Sequence, residues 1–306
     1  MKYRNLSNKN IRVSVIGLGT WQLGGEWGQD YTQDEVDAVV DACREEGINL
    51  IDTAECYGEG VSERLVGRSV ARDRDKWVIA TKFGHRYKGI FDRDQLWKAD
   101  EVRKQLEQSL KNLRTDYIDL YQFHSGGNEY FDNDELWEML SRQVEAGKIR
   151  HIGVSLTSNK AIRDSQVPKV AGVGADAVQV VYNRLDKTAE DTVLPICLKE
   201  GLGVLARVPL ASGFLTGKYA PGVQFPEGDY RGGLERGKLD TMASEALRIK
   251  DQEVPEGVNM AQWALSWCLA HDAVACVIPG ARDTAQLRSN TKAADMVSDT
   301  HPLAVG

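Results

Sequence analysis

The stretch that decides the fold reads INLIDTAECYG and spans residues 48–58. It opens with a short, mostly apolar run from Ile48 to Ile51. Runs of this kind are typical of parallel β-strands covered on both faces, because neither face then has to meet water. The run ends at Asp52, and Tyr57 follows in a loop that contains a glycine. The stretch therefore predicts a buried parallel strand that presents polar side chains at its carboxyl end.

The same pattern recurs along the chain, with helical segments between the apolar runs. Further strands are predicted at Ile16 to Thr20, Trp77 to Ala80, Tyr117 to Phe123, Ile149 to Val154, Ala177 to Val181, Gly203 to Val208 and Val274 to Ile278. The helix before Ile48 begins at the capping box of Thr32 and Glu35 and ends at Gly47. Other helices are predicted at Ser62 to Val70, Arg103 to Leu113, Asp134 to Ala146, Lys160 to Arg163, Glu190 to Lys199, after the capping residue Asn259, and at Thr284 to Ala293.

Eight strands alternating with eight helices predict an α/β fold, a closed (β/α)8 TIM barrel, because an open doubly wound sheet would hold fewer pairs. Met1 to Val15 contains two short extended pieces, which predict a β-hairpin over the amino-terminal end of the barrel. The connection from Ala211 to about Gly257 is far longer than an ordinary loop and rich in glycine and proline. We therefore expect long functional loops on the carboxyl-terminal face. The whole chain, residues 1–306, is predicted to form a single barrel domain.

Composition and charge argue against several classes of protein. The formal net charge is −7, from 38 basic and 45 acidic residues, so a general nucleic-acid binder is not expected. Every apolar run is soon interrupted by a charge, so no membrane span is predicted. The five cysteines are scattered without a C-x-x-C pair, so neither a metal site nor a disulfide framework is expected. Reduced cysteines and the lack of an apolar signal core favour a cytoplasmic location.

Ionisable residues end three successive predicted strands, namely Asp52, Lys82 and His124, and Tyr57 follows the first of them. Taken singly, each has a more ordinary interpretation, as a loop cap, a solvated lysine or a structural histidine. Their separations of 30 and 42 residues correspond to one strand–helix repeat each. Because the carboxyl ends of barrel strands converge on one pocket, we expect these side chains to lie together.

This set of side chains suits the reduction of a carbonyl group. When hydride adds to the carbonyl carbon, negative charge develops on the oxygen, and a proton donor there stabilises it. Tyr57 is predicted to be that donor. A free tyrosine has a pKa of about 10, which the Lys82 ammonium is expected to lower while Asp52 keeps the lysine charged. His124 is expected to hydrogen-bond the substrate oxygen.

Several ordered motifs resemble the aldo-keto reductase superfamily along essentially the whole chain. They are GLGTW (17–21), DTAECYG (52–58), ATKF (80–83), DYIDLYQFH (116–124), IRHIGVS (149–155), QVVYN (179–183), GFLTGK (213–218) and IPG (278–280). In that family a tyrosine, a lysine, an aspartate and a histidine form the catalytic tetrad. The resemblance thus implies that Asp52, Tyr57, Lys82 and His124 act together in NADPH-dependent reduction of aldehydes or ketones.

Nucleotide binding is predicted at the late loops of the barrel, since neither a G-x-G-x-x-G nor a Walker A motif is present. Arg282 is predicted to open a helix, where a cation is disfavoured unless it meets an anion. The resemblance places such an arginine on the adenosine 2′-phosphate, which favours NADPH over NADH. The predicted cofactor contacts are Gly19, Thr20, Trp21, Asp52, Ser155, Gln179, Asn183, Arg207, Pro209, Leu210, Gly213, Leu215, Thr216, Lys218, Gly280, Arg282, Gln286 and Asn290.

Arg207 stands where related sequences often carry an aromatic residue that stacks on the nicotinamide ring. A guanidinium plane can also stack on a flat ring. Alternatively, the side chain turns away from the ring into an ion pair. The sequence leaves both interpretations open.

Substrate contacts are predicted at Trp21, Tyr57, His85 and His124, with Trp97 as a further wall of the pocket. Ordinary packing is the alternative for Trp21, His85 and Trp97. The loops at residues 84–97 and 125–133 are expected to select the carbonyl substrate.

Two other functions compete with a small-molecule reductase. The sequence also resembles the potassium-channel β subunits, which share the barrel and the cofactor but serve mainly as regulatory partners. A structural protein without a cofactor is disfavoured by Arg282, Gln286 and Asn290. A homo-oligomer is compatible with the sequence, and the physiological substrate is not specified by it.

Overall fold

The computed structural model describes residues 1–89 and 92–305. In this part of the chain the strands are β1 (Tyr3–Asn5), β2 (Arg12–Ser14), β3 (Leu18–Gly19), β4 (Leu50–Asp52), β5 (Val78–Phe83), β6 (His85–Gly89), β7 (Asp92–Gln95), β8 (Ile118–His124), β9 (Ile149–Ser155), β10 (Ala177–Val181), β11 (Gly203–Arg207), β12 (Val274–Val277) and β13 (Ala304–Val305).

The α-helices alternate with the strands. They are α1 (Gln33–Glu46), α2 (Val61–Val70), α3 (Ala99–Leu113), α4 (Asn128–Phe131), α5 (Asp134–Glu145), α6 (Lys160–Gln166), α7 (Val193–Glu200), α8 (Arg236–Gln252), α9 (Met260–Leu269) and α10 (Thr284–Thr291). None of the helices in the described residues is both long and apolar enough to cross a membrane.

Parallel strands form the barrel wall in the order β3, β4, β5, β8, β9, β10, β11, β12. The wall closes between its two ends, where Ile16 pairs with Val277 and Gly19 pairs with Gly280, both in parallel. The backbone N–H of Gly17 donates to the Val277 carbonyl oxygen at 2.9 Å, and Val277 N–H donates to Val15 at 3.0 Å. The predicted (β/α)8 barrel is therefore confirmed.

The amino-terminal hairpin covers one end of the barrel, as predicted. Strands β1 and β2 pair in antiparallel fashion, and β13 extends their sheet. Leu6 and Val13 are fully buried in one apolar cluster with Leu50, Leu120 and Leu205, which come from the barrel wall. Burying this apolar surface closes the end opposite the strand ends that carry Asp52 and His124.

Local sequence signals explain how the helices begin and end. The Thr32 side chain accepts the Glu35 N–H, and the Glu35 carboxylate accepts the Thr32 N–H at 2.8 Å. This reciprocal pair satisfies two backbone donors that the first turn of α1 would leave free. Gly47 ends the helix with φ of 75°, a left-handed conformation that favours glycine.

Two connections contain more regular structure than the sequence analysis predicted. The long connection after β11 includes the 17-residue helix α8. Its buried residues Leu239, Ala243, Ala246 and Ile249 recur at helical spacing, so its apolar stripe packs against the core. The expected loop at residues 84–97 contains the antiparallel pair β6 and β7. Neither element was predicted, because the abundant glycines and polar residues of these segments are typical of loops.

Candidate active site

The four predicted catalytic residues reach the same end of the barrel. Asp52 is the last residue of β4, Lys82 lies near the end of β5, and His124 ends β8. In the sheet register Asp52 lies opposite Ala80, and Lys82 lies opposite Gln122. Parallel strands thus deliver these side chains at adjacent levels, as the spacing predicted.

The Lys82 ammonium is fully buried and donates three hydrogen bonds. Its Nζ lies 2.7 Å from Asp52 Oδ1, 2.6 Å from the Thr53 carbonyl oxygen and 3.2 Å from the Tyr57 hydroxyl oxygen. An ammonium group has three donors, so its capacity is filled. Burial works to lower the pKa of Lys82, but the Asp52 charge and Tyr57 outweigh it and raise the pKa. Lys82 therefore stays charged near neutral pH.

The second oxygen of Asp52 is also held. Asp52 Oδ2 accepts from Gln179 Nε2 at 2.7 Å and from Gln122 Nε2 at 3.2 Å. These two amides fix the carboxylate that in turn fixes the ammonium. Sequence reasoning missed Gln122, although it lies two residues before His124 and so points to the same side of β8.

Burial dominates the protonation of Tyr57. It raises the pKa of the phenol to about 12, although the Lys82 ammonium opposes that rise. The expected net lowering of the Tyr57 pKa is thus not seen, because desolvation of the phenolate exceeds the attraction of the ammonium. The phenol keeps its proton near neutral pH, as a proton donor must.

His124 lies beside Tyr57, with ring centroids 6.3 Å apart. Its Nδ1 is 3.8 Å from the Cys56 sulfur. Burial, with smaller contributions from nearby His85 and Lys82, lowers the pKa of His124 well below its usual value. The imidazole is therefore neutral and able to offer one ring N–H to a substrate oxygen.

His85 and Trp97 occupy different places from the pocket walls that the sequence suggested. His85 Nε2 lies 2.6 Å from the His124 carbonyl oxygen, and burial lowers the pKa of His85 to about 4. Trp97 packs on Phe123 and Tyr130, with ring centroids 4.5 Å and 5.3 Å away. Both side chains fit the alternative of ordinary packing and structural hydrogen bonding.

A cleft of about 220 Å³ runs from Asp52 and Tyr57 to Arg282 and Gln286. A ligand in this cleft could contact both Tyr57 and Arg282. The predicted cofactor residues that line it are Gly19, Thr20, Trp21, Asp52, Gln179, Arg207, Pro209, Leu210, Gly213, Thr216, Lys218, Gly280, Arg282 and Gln286.

Four predicted cofactor residues do not line this cleft among the described residues. Ser155 donates to Gln179, and Asn183 donates to the Val208 carbonyl oxygen at 3.0 Å. Leu215 is fully buried, and Asn290 lies 3.4 Å from the Gly280 carbonyl oxygen. These side chains support the cleft wall from behind, so direct contact with a ligand is not supported by this geometry.

Arg207 faces the cleft beside Asp52 and Tyr57. Its Nη2 donates to the Leu156 carbonyl oxygen at 3.0 Å, and its Nε is buried without a partner. Burial lowers the pKa of Arg207. No carboxylate in the described residues forms an ion pair with this guanidinium, so the ion-pair interpretation is not supported.

The far end of the cleft lies at the start of α10. Asp283 caps the helix by accepting the Gln286 N–H at 2.7 Å, and Gln286 Oε1 accepts the Arg282 N–H at 2.9 Å. The Arg282 side chain is exposed and forms no ion pair within residues 1–89 and 92–305. It is therefore free to meet a phosphate. Asp283, the capping residue next to Arg282, was not predicted from the sequence.

Comparison with known proteins decides the family. The model of the Aldo/keto reductase family matches residues 15–303. The chain belongs to this family. It is similar to the aldo-keto reductase AKR11C1 from Bacillus halodurans in its holo form, with a TM-score of 0.79, 28% identity, and coverage of 96% of this chain and 91% of that one.

Two curated relatives of this aldo/keto reductase differ in function. The NADH-specific methylglyoxal reductase of Escherichia coli (strain K12) is 30% identical over 96% of this chain and 93% of that protein. A probable voltage-gated potassium channel subunit beta of Arabidopsis thaliana is 27% identical over 100% of this chain and 94% of that protein. The resemblance inferred from the motifs is confirmed, and the family identifies the chain as an oxidoreductase.

An aromatic cluster of this aldo/keto reductase was not expected from the sequence. Tyr230 lies 4.7 Å from both Trp21 and Trp27, measured between ring centroids, and all three line the cleft. Tyr230 belongs to the long connection after β11. No local pattern connects Tyr230 with residues more than 200 positions earlier in the chain, and only the folded barrel brings them together.

Proposed function

We propose that this chain reduces aldehydes or ketones to alcohols, with NADPH as the hydride source and Tyr57 as the proton donor. One observation carries the proposal. The buried chain of Asp52, Lys82 and Tyr57 opens on a cleft that also reaches Arg282, an arginine that forms no ion pair in the described part of the chain. One cleft would thereby serve both a proton donor and a cation that can bind the anionic end of a ligand.

Tyr57 would donate its proton to the substrate oxygen as negative charge develops there. Lys82 would stabilise the phenolate that remains, because its ammonium lies 3.2 Å from the phenolic oxygen. Asp52 keeps the ammonium oriented, and His124 would donate a hydrogen bond to the same substrate oxygen. When bound, the nicotinamide would supply the hydride.

The cleft residues fit a dinucleotide phosphate. Thr216 and Lys218 would contact the pyrophosphate. Gly213, with φ of 93°, has no side chain of its own to keep the backbone from approaching it. Arg282 would bind the 2′-phosphate through its guanidinium, which suits phosphate geometry. This choice of NADPH is a proposal, since the Escherichia coli relative is named for NADH.

A direct test is a panel of aldehydes, ketones and sugars, with cofactor consumption followed for NADPH and NADH separately. Activity with at least one carbonyl class, and a preference for NADPH, would support the proposal. An absence of turnover with every class would contradict it. We further propose that the reaction takes place in the cytoplasm.

A regulatory subunit resembling the potassium-channel β subunits is a second candidate, favoured by the similarity to the Arabidopsis protein. Such a subunit would bind NADPH tightly but turn over carbonyls slowly. Measuring the Kd of NADPH together with kcat for each carbonyl of the panel separates the two functions, because a regulatory subunit would combine a low Kd with a low kcat.

A further inference from the structure

A chain of hydrogen bonds leads from the β6–β7 hairpin to the end of β8. Trp97 Nε1 donates to Gln95 Oε1 at 2.7 Å, and Gln95 Nε2 lies 3.2 Å from His85 Nδ1. His85 Nε2 lies 2.6 Å from the carbonyl oxygen of His124. Three successive contacts thus end on the backbone of a proposed catalytic residue.

The chemistry of these groups gives each bond a single direction. An indole N–H can only donate, so the Gln95 oxygen faces Trp97 and the Gln95 amide nitrogen faces His85. His85 Nδ1 must therefore accept. A carbonyl oxygen can only accept, so the proton of His85 lies on Nε2. The neutral His85 ring is therefore the tautomer with its proton on Nε2 and an acceptor at Nδ1.

The backbone of His85 is also held from two sides. Its N–H donates to Glu55 Oε1 at 3.0 Å, and its carbonyl oxygen accepts from Gln105 Nε2 at 2.7 Å. Glu55 lies two residues before Tyr57. His85 therefore connects the loop that carries Tyr57 with the strand that ends in His124.

We infer that His85 is a positioning residue, which holds His124 in place for the substrate oxygen through the bond from its Nε2 to the His124 carbonyl. The inference rests on the proposed reductase function. It also gives the hairpin a role, because substrate contacts made there would be transmitted to His124. Small displacements matter at such a site, since a shift of about 1 Å can cost about 100-fold in rate.

Burial agrees with this role, because His85 is only 8% exposed. The titratable and charged groups around it are Glu55 from the loop after β4, Arg93 from β7 and His124 from β8. Desolvation and the Arg93 charge lower the pKa of His85 to about 4. The ring is thus neutral near neutral pH, with Nδ1 able to accept from Gln95 while Nε2 donates to the His124 carbonyl oxygen.

The first test replaces His85 by Phe, which keeps a ring but removes both nitrogens. We expect kcat for carbonyl reduction to fall at least tenfold, while the Kd of NADPH changes less than twofold. His85→Gln should recover most of the activity, because its amide nitrogen can reach the position of Nε2. His151→Gln, at the opposite end of the strands, is the matched control and should leave kcat unchanged.

The second test uses Gln95→Glu, an exposed position that should not impair folding. A carboxylate at this position would accept a hydrogen bond from the protonated Nδ1 of His85. The pKa of His85 should therefore rise in Gln95→Glu but not in Gln95→Met, whereas the bond from Nε2 to the His124 carbonyl oxygen should persist in both charge states of the ring. NMR titration of the His85 imidazole measures the same pKa without any substrate.

NMR also separates this inference from the proposed function. The imidazole signals of His124 in the resting protein should shift in His85→Phe and return in His85→Gln, whether or not the parent reduces a carbonyl. A parent without reductase activity would contradict the proposed function alone. Unchanged His124 signals in a folded His85→Phe, or an unchanged kcat, would overturn the positioning role.

Discussion

Replacing Lys82 by Met removes the ammonium that lies 3.2 Å from the Tyr57 oxygen. At an effective dielectric constant of about 20, two unit charges at that distance interact by about 5 kcal/mol. If about half of the charge has developed on Tyr57 in the transition state, the loss is about 2.6 kcal/mol. Each 1.36 kcal/mol is tenfold in rate, so kcat should fall about 100-fold.

The pH dependence of Lys82→Met has a definite sign. Reduction needs the protonated phenol, so in the parent it is lost only as pH rises toward the Tyr57 pKa of about 12. Without the ammonium the pKa rises further, so reduction should stay independent of pH between pH 6 and pH 10 in both the parent and the variant. Alcohol oxidation needs the phenolate, so its rate at pH 10 should fall more steeply than that of reduction.

The assay is steady-state kcat in both directions from pH 6 to pH 10. Lys148→Met, which removes a partly exposed lysine from the far end of the barrel, serves as the matched control. Circular dichroism must show a folded variant, because the substitution leaves Asp52 buried without its ion-pair partner. A folded Lys82→Met with the parent's kcat in both directions would refute the role given to the ammonium.

Three further perturbations probe other parts of the chain. Arg282→Ala should weaken NADPH binding about 10- to 100-fold, because a charged hydrogen bond is lost, and should weaken NADH binding less than twofold. Equal losses of affinity for the two cofactors, measured by fluorescence titration, would show that Arg282 does not bind the 2′-phosphate. Arg207→Tyr should tighten binding of NADP⁺ more than that of NADPH, by at least about fivefold for each 1 kcal/mol of charge repulsion removed, because only the oxidised ring is cationic. Equal or weaker binding of both forms would argue against an uncompensated guanidinium at the ring. Thr32→Ala should lower the free energy of unfolding by about 1 kcal/mol in a urea titration, and an unchanged midpoint would mean that the α1 capping box contributes no stability.

The barrel was predictable because its strands are short apolar runs ended by polar residues. Ala177–Val181 coincides with a predicted strand from end to end, and the capping box at Thr32 marked the start of α1 within one residue. Helix α8 escaped prediction because glycines and prolines before it suggest a loop, although Leu239 and Ala246 carry its apolar stripe.

The candidate site was predictable only in part. Asp52, Lys82 and His124 could be grouped because strand order alone places them at one end of the barrel. The position of His85 could not be predicted, because its Nε2 contacts the backbone oxygen of His124 and does not point into the cleft. The Tyr57 pKa also depends on burial, which the order of residues does not reveal. Contacts across loops, such as Trp21 with Tyr230, require the folded chain.

The central claim is that Tyr57 protonates a carbonyl oxygen as hydride arrives at the carbon. The most direct measurement is a single turnover with deuterium at the transferable position of NADPH, with the alcohol product analysed by mass spectrometry. We predict that the parent and a Tyr117→Phe control place deuterium on the carbinol carbon, whereas folded Tyr57→Phe forms less than about 1% as much alcohol per unit time. Deuterated alcohol at the parent's rate from Tyr57→Phe, or none from the parent with any carbonyl class, would contradict the account.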